Sequence, residues 1–221
     1  MPFIFRKHCH PCFTKDGGVI FDSQNDRYIL LSQSETALLQ EALLDTQFRK
    51  ALPSRLNALV EPCVEGHMQP IATQTANGLH DYIWRYLPAD PDSFATRRPA
   101  ARFIIWVYLI QILIKWEGIA GTVDFITRHA HFFRKCFPAM TMDAAGDVIM
   151  AASRFSPFRF ECLEFAIALR CYAQIHTITD ARLFLGIQRF PFMAHAWVEA
   201  GEKPVGDDPS LPNRAAIIFE R

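Results

Sequence analysis

The chain has 221 residues, half of them apolar and 13% aromatic, which is enough to bury one large core or two small ones. Its 23 basic and 23 acidic residues cancel, so no overall field draws the protein to nucleic acid or to an anionic membrane. The N-terminus has no long apolar run of the secretory type, so its six cysteines predict free thiols in a reducing, cytoplasmic compartment.

The first third of the chain predicts a small α+β unit of three strands and three helices. Strands are expected at three places: Cys9–Thr14, Val19–Asp22 and Arg27–Leu31. Ser32 followed by Glu35 is a capping-box pattern that predicts the start of a helix. Two shorter helices are expected over Thr46–Leu52 and Ser54–Val60. This order of elements is typical of a winged-helix-like module.

A segment rich in proline and charge, residues 88–99, predicts a linker. We therefore expect one domain over residues 1–87 and a second over residues 100–221. The second begins with helical periodicity and ends with the alternating segments RLFLGIQ, HAWVE and AAIIFE, which predict an antiparallel sheet. The apolar run Phe103–Ile114 falls short of the roughly 20 residues that cross a bilayer, so we expect a core helix and no membrane insertion.

The segment from His195 to Asp207 predicts a hairpin that places a carboxylate opposite an imidazole. If the hairpin is symmetric about Gly201, Glu199 faces Lys203 and His195 faces Asp207. A carboxylate that fixes one ring nitrogen leaves the other free to take a proton. This is the arrangement that a catalytic base requires.

Cys162 is the candidate nucleophile. It follows a break at Ser156-Pro157 and begins the helical pattern CLEFAIALR. Exposed N–H groups and the helix dipole favour a thiolate at that position, and the N–H of the cysteine can help to hold an oxyanion. Glu161 works slightly against the thiolate. A buried structural cysteine and a structural histidine are the alternatives for these residue types.

The residues from Cys162 to Asp207 resemble the leader peptidase of lasso-peptide biosynthesis, in the transglutaminase-like branch of the papain-type cysteine peptidases. The resemblance rests on Cys-Leu at a helix start, on the strand LFLGI and above all on MAHAWVE followed by an aspartate. It implies a triad of Cys162, His195 and Asp207. Asp208 is the neighbour that can be mistaken for the third member.

The first domain resembles the leader-recognition module of peptide-modifying systems, in which an extended leader adds as a strand beside a helix. This resemblance implies a leader site formed by the following residues: Arg27, Tyr28, Ile29, Leu30, Leu31, Leu56 and Leu59. The resemblance of the C-terminal segment to the leader peptidase implies hydrolysis of the leader–core bond of a precursor peptide, without cofactor or metal. A separate ATP-dependent, asparagine-synthetase-like cyclase would then join the freed core N-terminus to a side-chain carboxylate.

Three alternatives stay open from the sequence. A transglutaminase-type acyltransferase would use the same triad with an amine acceptor, and an inactive peptidase-like scaffold would only bind peptide. A structural metal site is the third alternative, with ligands drawn from this set: His8, Cys9, His10, Cys12, Cys63 and His67. The strand expected over Cys9–Thr14 explains its own residues without a metal.

Overall fold

The computed structural model describes residues 3–45, 47, 48, 50–63, 74, 78, 79, 81–96 and 98–221. Within these ranges helices combine with antiparallel sheets, which confirms the predicted α+β class.

The N-terminal part contains the predicted three-stranded antiparallel sheet and a second, smaller one. Its strands are β1 (Phe3–Phe5), β2 (Cys9–Thr14), β3 (Gly17–Asp22), β4 (Arg27–Leu30) and β5 (Val60–Pro62). The larger sheet has the order β2-β3-β4, so β4 is an edge strand, and β1 pairs with β5. Helix α1 (Gln33–Leu44) begins at the predicted capping box, in which Ser32 and Glu35 exchange hydrogen bonds.

The two short helices differ from prediction. The described residues of the range 46–52 are not helical, and Thr46 and Arg49 lie outside the described residues. After α1, the Asp45 carboxylate accepts the Gln47 N–H at 2.7 Å and so turns the chain out of the helix. Helix α2 covers only Ser54–Asn57, because the chain enters β5 at Val60 and pairs there with β1.

The C-terminal part begins with five helices in the described ranges. They are α3 (Pro91–Thr96, inside the predicted linker), α4 (Ala101–Arg128), α5 (Ala130–Cys136), α6 (Met142–Ser153) and α7 (Cys162–Ile175). By length and composition alone α4 could cross a membrane, but 39% of its most apolar window is buried in the protein. Phe103, Trp106 and Ile110 lie in the core, as expected of a core helix.

Helix α4 is kinked at Gly118, whose φ of +69° lies in the left-handed region. Asp26, in the turn between β3 and β4, accepts the Ile119 N–H at 3.2 Å. A Cβ atom at position 118 would approach the Asp26 carboxylate to 2.9 Å. The N-terminal sheet thus caps the second half of a core helix in the C-terminal part, and glycine leaves room for that carboxylate.

The chain ends with the predicted antiparallel sheet. Its elements are β6 (Arg182–Gln188), β7 (Met193–Ala200), β8 (Lys203–Pro204), α8 (Leu211–Arg214) and β9 (Ala216–Glu220), and the strand order is β8-β7-β6-β9. Helix α7 packs against β7 in the centre of the large core, so it carries Phe165, Leu169 and Tyr172 fully into the protein.

The N-terminal sheet packs directly on the C-terminal part. The rings of His10 and Phe21 contact Phe219 of β9, with centroids 4.9 and 5.7 Å apart. The Arg189 guanidinium, in the turn between β6 and β7, donates to the Leu31 carbonyl at 2.6 Å. These contacts hold β4 on the side of the molecule where β7 begins.

Candidate active site

Cys162 lies at the first position of α7, as predicted. Glu161 is the N-cap residue, and the Glu164 carboxylate reaches back to accept the Glu161 N–H at 3.0 Å. The N–H of a first-turn residue has no acceptor inside its helix, so the Cys162 N–H is available to a bound group. The cysteine side chain is half-buried and lines a cavity, which makes it accessible to a ligand.

The opposing charge of Glu161 is compensated in the structure. Its carboxylate pairs with the Arg159 guanidinium at 2.5 Å, and both groups are largely exposed. An exposed ion pair contributes little stability, but it reduces the negative potential beside the cysteine. Glu161 therefore opposes the Cys162 thiolate less than the sequence alone suggests.

His195 is buried on β7, directly opposite Gly186 of β6. A Cβ at Gly186 would lie 2.7 Å from the Trp197 ring, so the absence of a side chain at this position leaves room for the indole. The indole stacks almost parallel to the imidazole, with centroids 6.0 Å apart, and donates its N–H to Glu199 at 2.8 Å. The strand and its neighbour thus fix the orientation of the His195 ring.

The predicted register of the following hairpin is wrong by one residue. Ala200 pairs with Lys203 and Glu199 with Pro204, so the turn consists of two residues, Gly201 and Glu202, and Glu199 does not face Lys203. Both turn residues have positive φ, +59° and +63°, which matches the twist of a two-residue hairpin.

Asp207 nevertheless meets His195, for a different reason. After the Val205 N–H has donated to the Val198 carbonyl at 2.9 Å, Gly206 adopts a φ of +66° and turns the chain. Asp207 is thereby directed to the imidazole, whose Nε2 lies 2.7 Å from Oδ2 of the carboxylate. The side chains of both residues are 4% exposed or less, so solvent screens this pair weakly.

The surroundings of His195 favour its protonated form. Burial acts to lower the pKa, but hydrogen bonds to Asp207 and Cys162, together with the charges of both groups, raise it to about 9. Because Asp207 occupies Nε2, Nδ1 is the nitrogen available to the thiol. The imidazole lies between a carboxylate and a thiol, and this arrangement can pass a proton to and from a group bound at Cys162.

The cysteine and the histidine share a cavity of about 220 Å³. It is lined by Leu79, Tyr82, Ile83, Trp84, Glu161, Cys162, Met193, Ala194 and His195. Sequence analysis missed the contribution of Tyr82, whose hydroxyl donates to Asp207. The signal was the alternation of Tyr82, Trp84 and Tyr86, which indicates an extended segment with one buried face.

Asp208 takes no part in the contact with His195. Its carboxylate accepts the Ser210 N–H at 2.8 Å and lies 3.8 Å from the Arg214 guanidinium. Hydrogen bonds to Ser210 are the main cause that lowers the pKa of Asp208. These contacts suit a residue that stabilises the turn before α8.

We expect Asp207→Ala to lower the activity of the protein by roughly a hundredfold or more, because it removes the group that orients His195. Asp208→Ala should cost mainly stability, about 1 kcal/mol or less, because it removes a part-buried hydrogen bond and a long ion pair outside the contact with His195. Initial rates and thermal unfolding of the two variants, measured side by side, provide the check. A larger loss of activity in Asp208→Ala would show that the wrong aspartate has been chosen.

Five of the seven predicted leader residues line a second groove, of about 580 Å³, on the N-terminal part, and Leu31 and Leu56 do not. It is formed by His8, Cys9, Asp22, Asn25, Arg27, Tyr28, Ile29, Leu30, Arg55, Ala58 and Leu59. Leu31 and Leu56 are fully buried in the N-terminal core, and Leu59 is only 4% exposed. Leu31 and Leu56 thus belong to the core and are not accessible to a peptide in the groove.

The register of β4 determines which of its backbone groups face outward. The Leu31 N–H donates to the Gly18 carbonyl at 2.9 Å, so hydrogen bonding to β3 alternates and involves Ile29 and Arg27. Tyr28 and Leu30 therefore direct their N–H and C=O groups away from β3. The Leu30 carbonyl already accepts the Arg55 guanidinium at 2.9 Å, which protects part of this edge.

Tyr28 links the groove to the cavity. Its ring lines the groove and contacts Phe192 with centroids 5.4 Å apart, immediately before the cavity residues Met193 and Ala194. Burial is the main cause that raises the pKa of Tyr28, and the charge of Cys162 adds to it. A peptide on β4 would thus lie next to Tyr28, whose partner Phe192 directly precedes residues that line the cavity of Cys162.

The described residues contain no group of three or more His, Cys, Asp or Glu side chains placed to hold a metal ion. Cys9 and Cys12 are buried on β2, and His10 bonds the Ser23 hydroxyl at 3.1 Å. His67, a candidate ligand, lies outside the described residues.

Comparison with known proteins identifies the class of the C-terminal part. Residues 111–220 match the sequence model of the transglutaminase-like superfamily, so this segment is a transglutaminase-like domain, as the resemblance around Cys162 and His195 predicts. No solved structure matches the chain.

A second comparison gives a particular relative. A segment of 63 residues is 33% identical to the microcin J25-processing protein McjB of Escherichia coli, and it spans 28% of this chain and 30% of that protein. Together with the domain match, this similarity confirms the predicted resemblance to the processing proteins of lasso-peptide biosynthesis. The fusion of a leader-binding domain to the peptidase stays a prediction.

Proposed function

We propose that the chain is a cysteine peptidase that binds the leader of a lasso-peptide precursor and hydrolyses the leader–core bond. The observation that carries this proposal is that His195 contacts both Asp207 and Cys162, and shares a cavity with Cys162 beside a groove on an edge strand. Residues 1–87 would recognise the leader and residues 100–221 would cut it.

The reaction would proceed in two steps. The Cys162 thiolate attacks the carbonyl carbon of the scissile bond, and the Cys162 N–H helps to hold the oxygen that becomes negative. His195, protonated near neutral pH, gives its proton to the departing amine of the core, which leaves the leader as a thioester. His195 then takes a proton from water, whose oxygen attacks the thioester and releases the leader carboxylate.

Two features of the site favour this chemistry. Asp207 supports the positive charge that His195 carries when the thiolate forms, in a buried setting where the attraction is strong. The cavity has a volume of only about 220 Å³, which suits part of an extended peptide better than a folded protein. The reaction needs no cofactor or metal, and the released core amine would be the substrate of a separate ATP-dependent cyclase.

The experiment is an incubation of the purified protein with a synthetic peptide that corresponds to a short reading frame next to its gene. Mass spectrometry should find leader and core fragments whose masses sum to the precursor plus one water. With an added primary amine, an acyltransferase would instead attach that amine to the leader. A precursor that stays intact, equally with wild-type protein and with Cys162→Ala, would contradict both enzymatic functions.

The leader is expected to add as a strand to β4, through the outward groups of Tyr28 and the outward N–H of Leu30. Leu30→Pro should weaken leader binding roughly tenfold, because it removes an outward donor while the bonds to β3 persist. A proline at position 29 or 31 would instead damage the sheet itself, because Ile29 and Leu31 bond to β3. Fluorescence anisotropy of a labelled leader peptide measures the change.

Leu30→Val is the matched control, because it keeps the N–H and suits a strand. Its affinity for the leader should stay within about twofold of wild type. Equal affinities of the proline and valine variants would place the leader elsewhere.

A further inference from the structure

An extended aromatic segment, residues 81–87, crosses the candidate active site. The Tyr86 hydroxyl donates to Asp147 at 2.7 Å, and the Leu87 N–H donates to the Gly206 carbonyl at 2.9 Å. Trp84 and Tyr86 both contact Phe165 of α7, with ring centroids 6.1 and 5.2 Å apart. The segment is thus anchored both to the helix of the cysteine and to the turn that precedes Asp207.

Tyr82 is the residue of this segment that contacts the triad. Its hydroxyl donates to Asp207 Oδ1 and lies 3.3 Å from His195 Nε2. Its ring meets the imidazole edge to face, with centroids 4.8 Å apart. Asp207 Oδ1 also accepts the Asp208 N–H at 2.8 Å, while Oδ2 holds His195. Both oxygens of the carboxylate are therefore engaged, and Oδ1 has one side-chain donor, Tyr82, and one backbone donor.

We propose that Tyr82 is a positioning residue of the triad, whose hydroxyl holds Asp207 toward His195 and takes up part of the negative charge of the carboxylate. The proposal rests on the proposed roles of Cys162, His195 and Asp207. It adds a residue from the N-terminal side of the predicted linker to the machinery of the transglutaminase-like domain.

The charge argument follows from the hydrogen bonds. A donor to a carboxylate stabilises its negative charge and so weakens its hold on a neighbouring imidazolium. Burial raises the pKa of Tyr82 first, and the bond to Asp207 raises it further, so the phenol stays neutral and donates throughout the range in which His195 titrates. The charged groups that face His195 are Asp207 and Cys162, with Asp208 close to Tyr82.

The protonation state of His195 can be measured in the absence of a peptide substrate, from the alkylation of Cys162. Iodoacetate is an anion and is attracted by an imidazolium beside the thiolate, whereas iodoacetamide is neutral. The ratio of the two alkylation rates at Cys162 should therefore fall as the pH rises through about 9, where His195 loses its proton. Peptide mapping by mass spectrometry resolves Cys162 from Cys136, whose exposed thiol provides an internal reference.

The midpoint is the pH at which this ratio has fallen half-way. In Tyr82→Phe it should rise by roughly half a pH unit, the size expected for the loss of one hydrogen bond. The ring is kept, so its contact with the imidazole remains. A 3-fluorotyrosine at position 82, which is a stronger donor and keeps the tyrosine fold, should move the midpoint down. A midpoint that stays in place or moves the opposite way in these proteins would overturn the proposal.

Tyr86→Phe is the matched control, because it removes a hydroxyl–carboxylate bond of the same segment away from the triad. It should leave the midpoint unchanged; an equal shift would show that loosening the segment is the whole effect. In an Asp207→Asn background Tyr82→Phe should have no further effect, and a shift that persists there would exclude action through Asp207. A protein that shows the expected shifts yet cuts no precursor would count against the proposed substrate alone.

Discussion

Cys162→Ala should abolish cleavage of the precursor, with a fall in rate of about a thousandfold or more, and should still bind the leader. The reason for the loss is the removal of the attacking sulfur. The reason for retained binding is that the groove on β4 is built by the N-terminal part. The rate is measured by mass spectrometry of the products, and the dissociation constant by anisotropy of a labelled leader.

His195→Ala should lose as much activity, and the double variant should be no slower than either single one, because the two residues act as a unit. The control is Cys136→Ala, which removes an exposed thiol at the end of α5 and should turn over like wild type. Turnover retained by Cys162→Ala would assign the nucleophile to another residue. Loss of leader binding in the same variant would place the leader across the cavity.

Local signals in the sequence predict the starts of helices α1 and α7 correctly. The capping box of Ser32 and Glu35 marks the start of α1, and the break before Cys162 marks the start of α7. Both depend on residues within a few positions of each other, where steric and hydrogen-bonding rules operate directly. The sequence therefore locates β4 and the candidate nucleophile to within a residue or two.

The register of the hairpin after His195 is harder to predict. A symmetric turn about Gly201 and a two-residue turn at Gly201-Glu202 differ by one position, and that slip reverses which side chains face each other. The pairing of His195 with Asp207 survives because Gly206 redirects the chain beyond the strand. The sequence thus predicts the contact of His195 with Asp207 from a hairpin register that the structure does not have, and the turn at Gly206 is the actual cause of the contact.

Local spacing indicates that Tyr82 lies in an extended segment, but it does not predict its contact with His195 and Asp207. Tyr82 is 113 residues from His195 and 125 from Asp207, and it reaches them because residues 81–87 cross over the C-terminal part. The buried state of Leu31 and Leu56 has a similar origin, since period-two and helical patterns do not show which partly apolar face meets the core. Long-range packing determines these features.

Gly206→Ala should combine a stability loss of about 2–5 kcal/mol with a fall in activity of roughly a hundredfold. Gly206 has a φ of +66°, and a Cβ there would overlap the ring of Tyr86. Relief of that overlap must move either the turn or the aromatic segment, and each of them carries a contact of Asp207. Thermal unfolding and initial rates measure the two effects separately.

Gly201→Ala separates backbone strain from steric overlap. Its φ is +59°, nearly that of Gly206, but the nearest atom to a Cβ there is an Asp180 oxygen at 3.9 Å. It should cost only about 1–2 kcal/mol and leave the rate near that of wild type. Tyr86→Ala, combined with Gly206→Ala, should recover part of the lost activity because it removes the ring that a Cβ would meet. Equal losses in the two glycine variants would mean that the position of Asp207 does not depend on how Gly206 packs against Tyr86.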